Sequence, residues 1–165
     1  MSQIAANISD QGGSEGLQAG LFAVDNRIRD WISDQERAKQ LLIQVFASGS
    51  EINADWQTRL NELTEKINRE GLRVPLDVIT DADLSRLRIR AAYVGQTSGE
   101  PPQILVNESW LNSAPAAEVE AVLLEELGHA IDHALNGNRD TTGDEGEVFS
   151  ALLLGKATPI LADNE

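Results

Sequence analysis

The sequence contains no cysteine. Disulfide bonds, cysteine-ligated zinc sites, iron–sulfur clusters and thiol nucleophiles are therefore excluded, and a metal ion would have to be bound by His, Asp, Glu or backbone oxygens. Aromatic residues make up only 4% of the chain, so a core formed from its 41% of hydrophobic residues must be mainly aliphatic. A length of 165 residues fits a single domain.

Basic residues are also scarce, because 13 Lys and Arg stand against 27 Asp and Glu and give a net charge of −14. This charge repels nucleic-acid phosphates and anionic membrane surfaces, so we expect neither as a partner, whereas cations are natural partners. The sequence has no apolar run that approaches a membrane span and no signal-peptide pattern in its first 20 residues. We therefore expect either a cytoplasmic protein or one that is secreted by a route without a signal peptide.

Composition divides the chain into one domain and two polar ends. Residues 1–20 are rich in Gly, Ser and Gln and predict a flexible lead-in, and residues 159–165 predict a polar tail. The domain between them, residues 21–158, has the apolar periodicity of an α+β fold. Helical spacing predicts two N-terminal helices, a long helix and a short closing helix, at residues 24–46, 52–67, 113–137 and 145–155.

Three further segments alternate apolar and polar residues, which is typical of half-buried strands. They cover residues 72–78, 87–93 and 103–107, and we expect them to form a small, mostly antiparallel sheet. Three arginines alternate with the apolar residues around the second segment, and we interpret them as a solvated strand face rather than a binding stripe: Arg86, Arg88 and Arg90.

Both histidines of the chain lie in "LEELGHAIDH", residues 124–133 of the long helix. On a helical wheel the apolar residues face the core, and the polar residues share the other side: Glu125, Glu126, His129, Asp132 and His133. Glu125 and His129 are one turn apart, so both side chains can reach one ion, with Glu126 beside them. The alternative interpretation is the ordinary polar side of an amphipathic helix.

The segment "VLLEELGHAID" resembles the active-site helix of zincin metallopeptidases, particularly gluzincin-like sequences with "HELGHAID". "EGEVFSALL" resembles the downstream helix that provides a glutamate ligand in those enzymes. Residues 104–155 are also similar to an uncharacterised domain of large, repeat-bearing calcium-binding proteins of cyanobacteria and related bacteria. The resemblance implies a zincin-like fold and a metal-dependent hydrolase, most simply a peptidase or a self-processing domain, with a peptide or protein as substrate.

Carried over by position, the resemblance implies Glu125 and His129 as metal ligands, Glu126 as the general base that acts on water, and Glu145 or Glu147 as the third ligand. Glu125 stands where the peptidases have histidine. The added carboxylate favours harder ions such as calcium or manganese without excluding zinc, so we expect a divalent ion, with zinc preferred. An extended substrate would pair with the strand at residues 103–107.

Several assignments stay open. The third ligand is Glu147 by its match to the peptidase pattern, Glu145, or Asp144, although acidic residues at a helix start also serve as caps. The resemblance makes Asp132 a residue that orients an imidazole. A second registration uses Asp132 with His129 and His133, in the H-x-x-D-H spacing of inverted zinc peptidases.

Two functions from other classes are compatible with the same residues. One is a non-catalytic structural or adhesion module of a larger secreted protein, in which a metal ion only joins helices. The other is a helical interaction domain without metal.

Overall fold

A computed structural model of the protein describes residues 15–47, 52–80, 82–137 and 144–156. Within these ranges the chain forms helices around one small sheet, which confirms the predicted α+β class. The elements in chain order are α1 (Glu15–Ile32), α2 (Gln35–Phe46), α3 (Ala54–Glu70), β1 (Leu76–Ile79), α4 (Ala82–Arg86), β2 (Ala91–Val94), β3 (Gln103–Asn107), α5 (Glu108–Leu111), α6 (Ala116–Asn136) and α7 (Glu145–Leu154). Residues 1–14 of the predicted lead-in and the predicted tail lie outside the described residues.

The apolar pattern of residues 24–46, which predicts one helix, belongs to the two helices α1 and α2, because Asp34 begins a new helix. Its side chain accepts a hydrogen bond from the backbone N–H of Arg37 at 3.1 Å, which caps α2. Helix α1 starts at Glu15, within the predicted lead-in, and Leu17 is fully buried. Gly20 lies against α6, where an added Cβ would be 2.5 Å from Cγ1 of Val119. Helix α1 therefore extends further towards the N-terminus than the polar composition predicts.

The sheet has the order β1-β3-β2, with β1 parallel and β2 antiparallel to β3. It is therefore a mixed sheet rather than a mostly antiparallel one. Because β3 is the central strand and both of its edges are paired, the predicted pairing of a substrate with residues 103–107 is wrong. The segment predicted as a strand from residue 87 becomes one only at Ala91. Arg88 has φ 57°, a left-handed conformation that turns the chain between α4 and β2.

Helix α6 lies at the centre of the fold and contacts α1, α2, α3, α7 and β2. Most of the predicted core residues of this helix are buried, and they are Val119, Leu123, Leu124, Leu127, Ile131 and Leu135. Two alanines predicted on the same apolar face are less buried: Ala130 is half-buried and Ala134 is exposed. Arg27 of α1 joins three helices, since its Nε donates to Glu120 of α6 at 2.5 Å and its Nη1 donates to the Leu153 carbonyl of α7 at 3.1 Å.

Because α6 is central, its polar side is not left in water. Glu126 is buried, and the other four polar residues of that side are half-buried: Glu125, His129, Asp132 and His133. An ordinary solvated helix face would leave such side chains largely exposed. The burial of these groups therefore requires partners within the fold.

Candidate metal centre

Helices α6 and α7 cross at a pair of glycines. A Cβ built on Gly128 of α6 would lie 2.7 Å from the Cα of Gly146, closer than real Cβ contacts allow. The absence of side chains on both residues lets the two backbones meet. As a result, the N-terminal end of α7 lies against the turn of α6 that carries Glu125 and His129.

The crossing brings Glu125, His129 and Asp144 together. One ligand atom from each side chain, a carboxylate oxygen or an imidazole nitrogen, lies within 4.8 Å of the other two, so the group could hold a metal ion. Ligands of one tetrahedral zinc ion lie about 3.4 Å apart, given bonds of about 2.1 Å. Side-chain adjustments of about 1 Å would therefore fit this donor set to an ion. Glu125 and His129 are half-buried, whereas Asp144 is exposed.

Asp144 reaches the group because it lies immediately before α7, whose N-terminal end rests against Glu125 and His129 of α6. Its side chain accepts a hydrogen bond from the backbone N–H of Glu147 at 3.2 Å, so it also caps the helix. Glu145 and Glu147 follow it by about 100° and 300° around the helix axis. Glu145 is buried and Glu147 is exposed, and neither belongs to the group.

His133 does not belong to this group. Its ring is 6.1 Å from the ring of Tyr93, and a Cβ built on Gly95 would lie 3.5 Å from its Cε1. Among the described residues, the registration that pairs His129 with His133 therefore has no third ligand gathered with both imidazoles.

Glu126 joins α6 to the sheet. The backbone N–H of Tyr93 donates to Oε2 of Glu126 at 2.6 Å. The N–H of Asn107 donates to the carbonyl of Arg90, so the alternation along an antiparallel pair points the N–H of Tyr93 away from β3, to the open edge of β2. Glu126, the predicted general base, therefore binds the sheet through one carboxylate oxygen and keeps Oε1 outside this bond.

Burial raises the pKa of Glu126, and the charge of Asp144 adds to this effect. Three effects lower this pKa in opposition: the hydrogen bond from the backbone N–H of Tyr93, the charge of His129 and the charge of Arg90. Burial also raises the pKa of Glu125, and the charges of Asp144 and Glu126 raise it further. The carboxylates of Glu125, Glu126 and Asp144 therefore repel one another where they are partly removed from water. A bound cation would relieve that repulsion.

Asp132 belongs to a buried network at the C-terminal end of α6. Its Oδ1 accepts a hydrogen bond from Nδ2 of Asn136 at 2.6 Å. The same nitrogen donates to the Phe46 carbonyl at 3.0 Å, and Oδ1 of Asn136 accepts from Nε1 of Trp56 at 2.8 Å. In the sequence Asn136 has the position of an ordinary helix end, and its burial depends on contacts with α2 and α3 that local periodicity does not predict. The predicted role of Asp132 in orienting an imidazole stays a prediction.

A scan against protein-family models found no match for the chain, and searches of curated proteins and of solved structures found none either. The likeness to zincins therefore stays a prediction from the residues. Of the helices that the structure describes, none is long and apolar enough to cross a membrane.

Proposed function

We propose that the chain is a zincin-like, metal-dependent hydrolase, a peptidase or self-processing domain, in which Glu125, His129 and Asp144 bind a divalent ion. The gathering of these three ligand groups within 4.8 Å carries the proposal. Two carboxylates and one imidazole form a donor set that suits zinc or manganese. Calcium prefers oxygen ligands alone, so the imidazole disfavours it.

Among the described residues the group offers three ligands, which is the number typical of a catalytic ion. Structural zinc sites usually have four protein ligands, whereas catalytic sites have three and an open position. Asp144 is exposed, so solvent and a substrate can approach the group from its side. When bound, a divalent ion acts as a Lewis acid on a carbonyl oxygen and makes water a better nucleophile near neutral pH.

In this proposal Glu126 is the general base that transfers the proton. Its Oε2 accepts the N–H of Tyr93, which fixes the carboxylate plane, and Oε1 takes the proton from the attacking water and passes it to the leaving amine. A raised pKa suits this role, because a general base works best with a pKa near the working pH.

The test compares Glu126→Gln with the native chain. The native protein, purified and loaded with zinc or manganese, should hydrolyse labelled casein, and Glu126→Gln should keep the ion but lose turnover by about 10²- to 10⁴-fold. Glu147→Gln is the matched control, since this glutamate is exposed and outside the group, and it should keep both. Elemental analysis without a bound ion, together with no thermal shift on adding zinc, manganese or calcium, would contradict the proposal.

A second candidate is the non-catalytic module, in which the ion only joins α6 to α7. The burial of Glu126, which is 6% exposed, favours it, because a carboxylate that fixes the sheet to α6 has a structural use without catalysis. In that case a chelator should lower the melting temperature of the native protein, since an ion that binds only the folded state stabilises it. The protein should then show no turnover to lose in Glu126→Gln.

A further inference from the structure

A separate groove lies between α3, the segment 71–75 and the C-terminal half of α6. Its volume is about 320 Å³. Its walls are mainly apolar and include Leu63, Ile67, Leu72, Val74, Pro101 and Pro102. Tyr93 and His133 line one side, so we call it the Tyr93–His133 groove. The groove meets the candidate metal centre at Tyr93, whose backbone N–H donates to Glu126, but none of Glu125, His129 and Asp144 lines the groove.

The charged residues that line the groove are opposite in sign to the net charge of the chain. Acidic residues outnumber basic ones by 27 to 13 in the sequence, yet the groove is lined by Lys66 and Arg73 and by no Asp or Glu among its lining residues. Nε of Arg73 donates to the Glu70 carbonyl at 2.9 Å, which orients the guanidinium and uses one of its five N–H donors. The groove therefore offers two cationic side chains to an anionic ligand, in a chain whose net charge is negative.

The wall chemistry defines the ligand further. Apolar walls accept a hydrocarbon side chain, and cations beside them accept a carboxylate. Tyr93 and His133 add hydrogen-bonding side chains to the walls, which suit the amide of a peptide better than a plain hydrocarbon chain. A volume of about 320 Å³ is at the small end of ligand sites, which suits one or two amino-acid residues.

We propose that the Tyr93–His133 groove binds the C-terminal end of a peptide, with an apolar last side chain between the walls and the free carboxylate at Arg73 and Lys66. None of the proposed ligands Glu125, His129 and Asp144 lines the groove, so peptide binding can be measured in a chelator, without the proposed hydrolase activity.

The experiment titrates the full chain, in the presence of a chelator, with N-acetyl-alanyl-leucine and with its C-terminal amide, by calorimetry. The acid should bind at least about tenfold more tightly than the amide, because a hydrogen-bonded charge is lost in the amide. Arg73→Gln should reduce binding of the acid about tenfold for the same reason. Arg86→Gln removes an equal charge at an exposed residue outside the groove and should leave binding unchanged.

Ala134→Phe provides a second variant, since this exposed residue lines the groove and a larger side chain there should block the peptide without disturbing the core. In NMR spectra the acid should shift the signals of Tyr93 and His133. Equal binding of the acid and the amide would overturn the proposal. Equal losses in Arg73→Gln and Arg86→Gln, or no binding of either peptide, would also overturn it.

Discussion

Gly146 lies directly beside the imidazole of His129: a Cβ built on this glycine would be 2.8 Å from Nε2 of His129 and 2.6 Å from the carbonyl oxygen of Glu125. The first turn of α7 thus rests on the two α6 residues of the candidate metal centre. The spacing between the helices and the position of Asp144 both depend on this contact.

Replacing Gly146 by Ala should push α7 away from α6. The new methyl group meets the Glu125 carbonyl and the half-buried ring of His129, so we expect a loss of about 1–3 kcal/mol in the free energy of unfolding, together with weaker binding of zinc. Urea unfolding and a zinc titration measure the two effects. Gly95→Ala is the control, because its added Cβ would make only an ordinary contact of 3.5 Å with His133. Equal behaviour of the two variants would contradict this account of the crossing.

Asp144→Asn separates metal binding from helix capping. Asparagine caps a helix as well as aspartate does, so the stability of the chelator-treated protein should change little. The loss of an anionic ligand should weaken zinc binding at least about tenfold, which is more than 1.4 kcal/mol. Calorimetric titration with zinc checks this. If Glu147→Gln weakens binding as much and Asp144→Asn does not, the third ligand is Glu147 instead.

The raised pKa values of Glu125 and Glu126 predict a pH dependence of stability in the metal-free protein. Between the ordinary glutamate pKa of 4.5 and the raised values, the folded chain binds more protons than the unfolded chain. The free energy of unfolding therefore falls as pH rises through this window. Urea unfolding in chelator at a series of pH values should show a smaller fall for Glu126→Gln. A fall of the same size in that variant would show that Glu126 does not contribute.

Asn136→Ala should destabilise the chain through its buried network. The change leaves Nε1 of Trp56 and the carbonyl of Phe46 without the partner that Asn136 provides. We expect a loss of about 2–4 kcal/mol in the free energy of unfolding, since each buried polar group left unpaired costs about 1–3 kcal/mol. Asn68→Ala, at an exposed position of α3, should change stability by less than about 0.5 kcal/mol. Urea unfolding of both variants checks the difference.

Local periodicity predicted the α+β class and the buried face of α6, because residues such as Leu123, Leu127 and Ile131 repeat at helical spacing and their burial follows from that repeat. The order of the strands could not be predicted in this way. It depends on pairing between distant segments, and β1 pairs with β3 across the whole of α4 and β2.

The candidate site was predicted in part for the same reason. Glu125 and His129 lie on one helix, so their spacing alone places them together. The choice among Asp144, Glu145 and Glu147 depends on how α7 is rotated and how closely it approaches α6. The contact of Gly128 with Gly146 sets that approach, and neither glycine carries a periodic signal.

The hydrogen bond from Tyr93 to Glu126 also affects how separate molecules meet. An outward N–H on an edge strand is a template on which a strand from another molecule can add, and this is a common start of aggregation. In β2 a carboxylate of the same chain already occupies that donor. The residue that we propose as a base in the interior therefore also helps to keep neighbouring copies apart at high concentration.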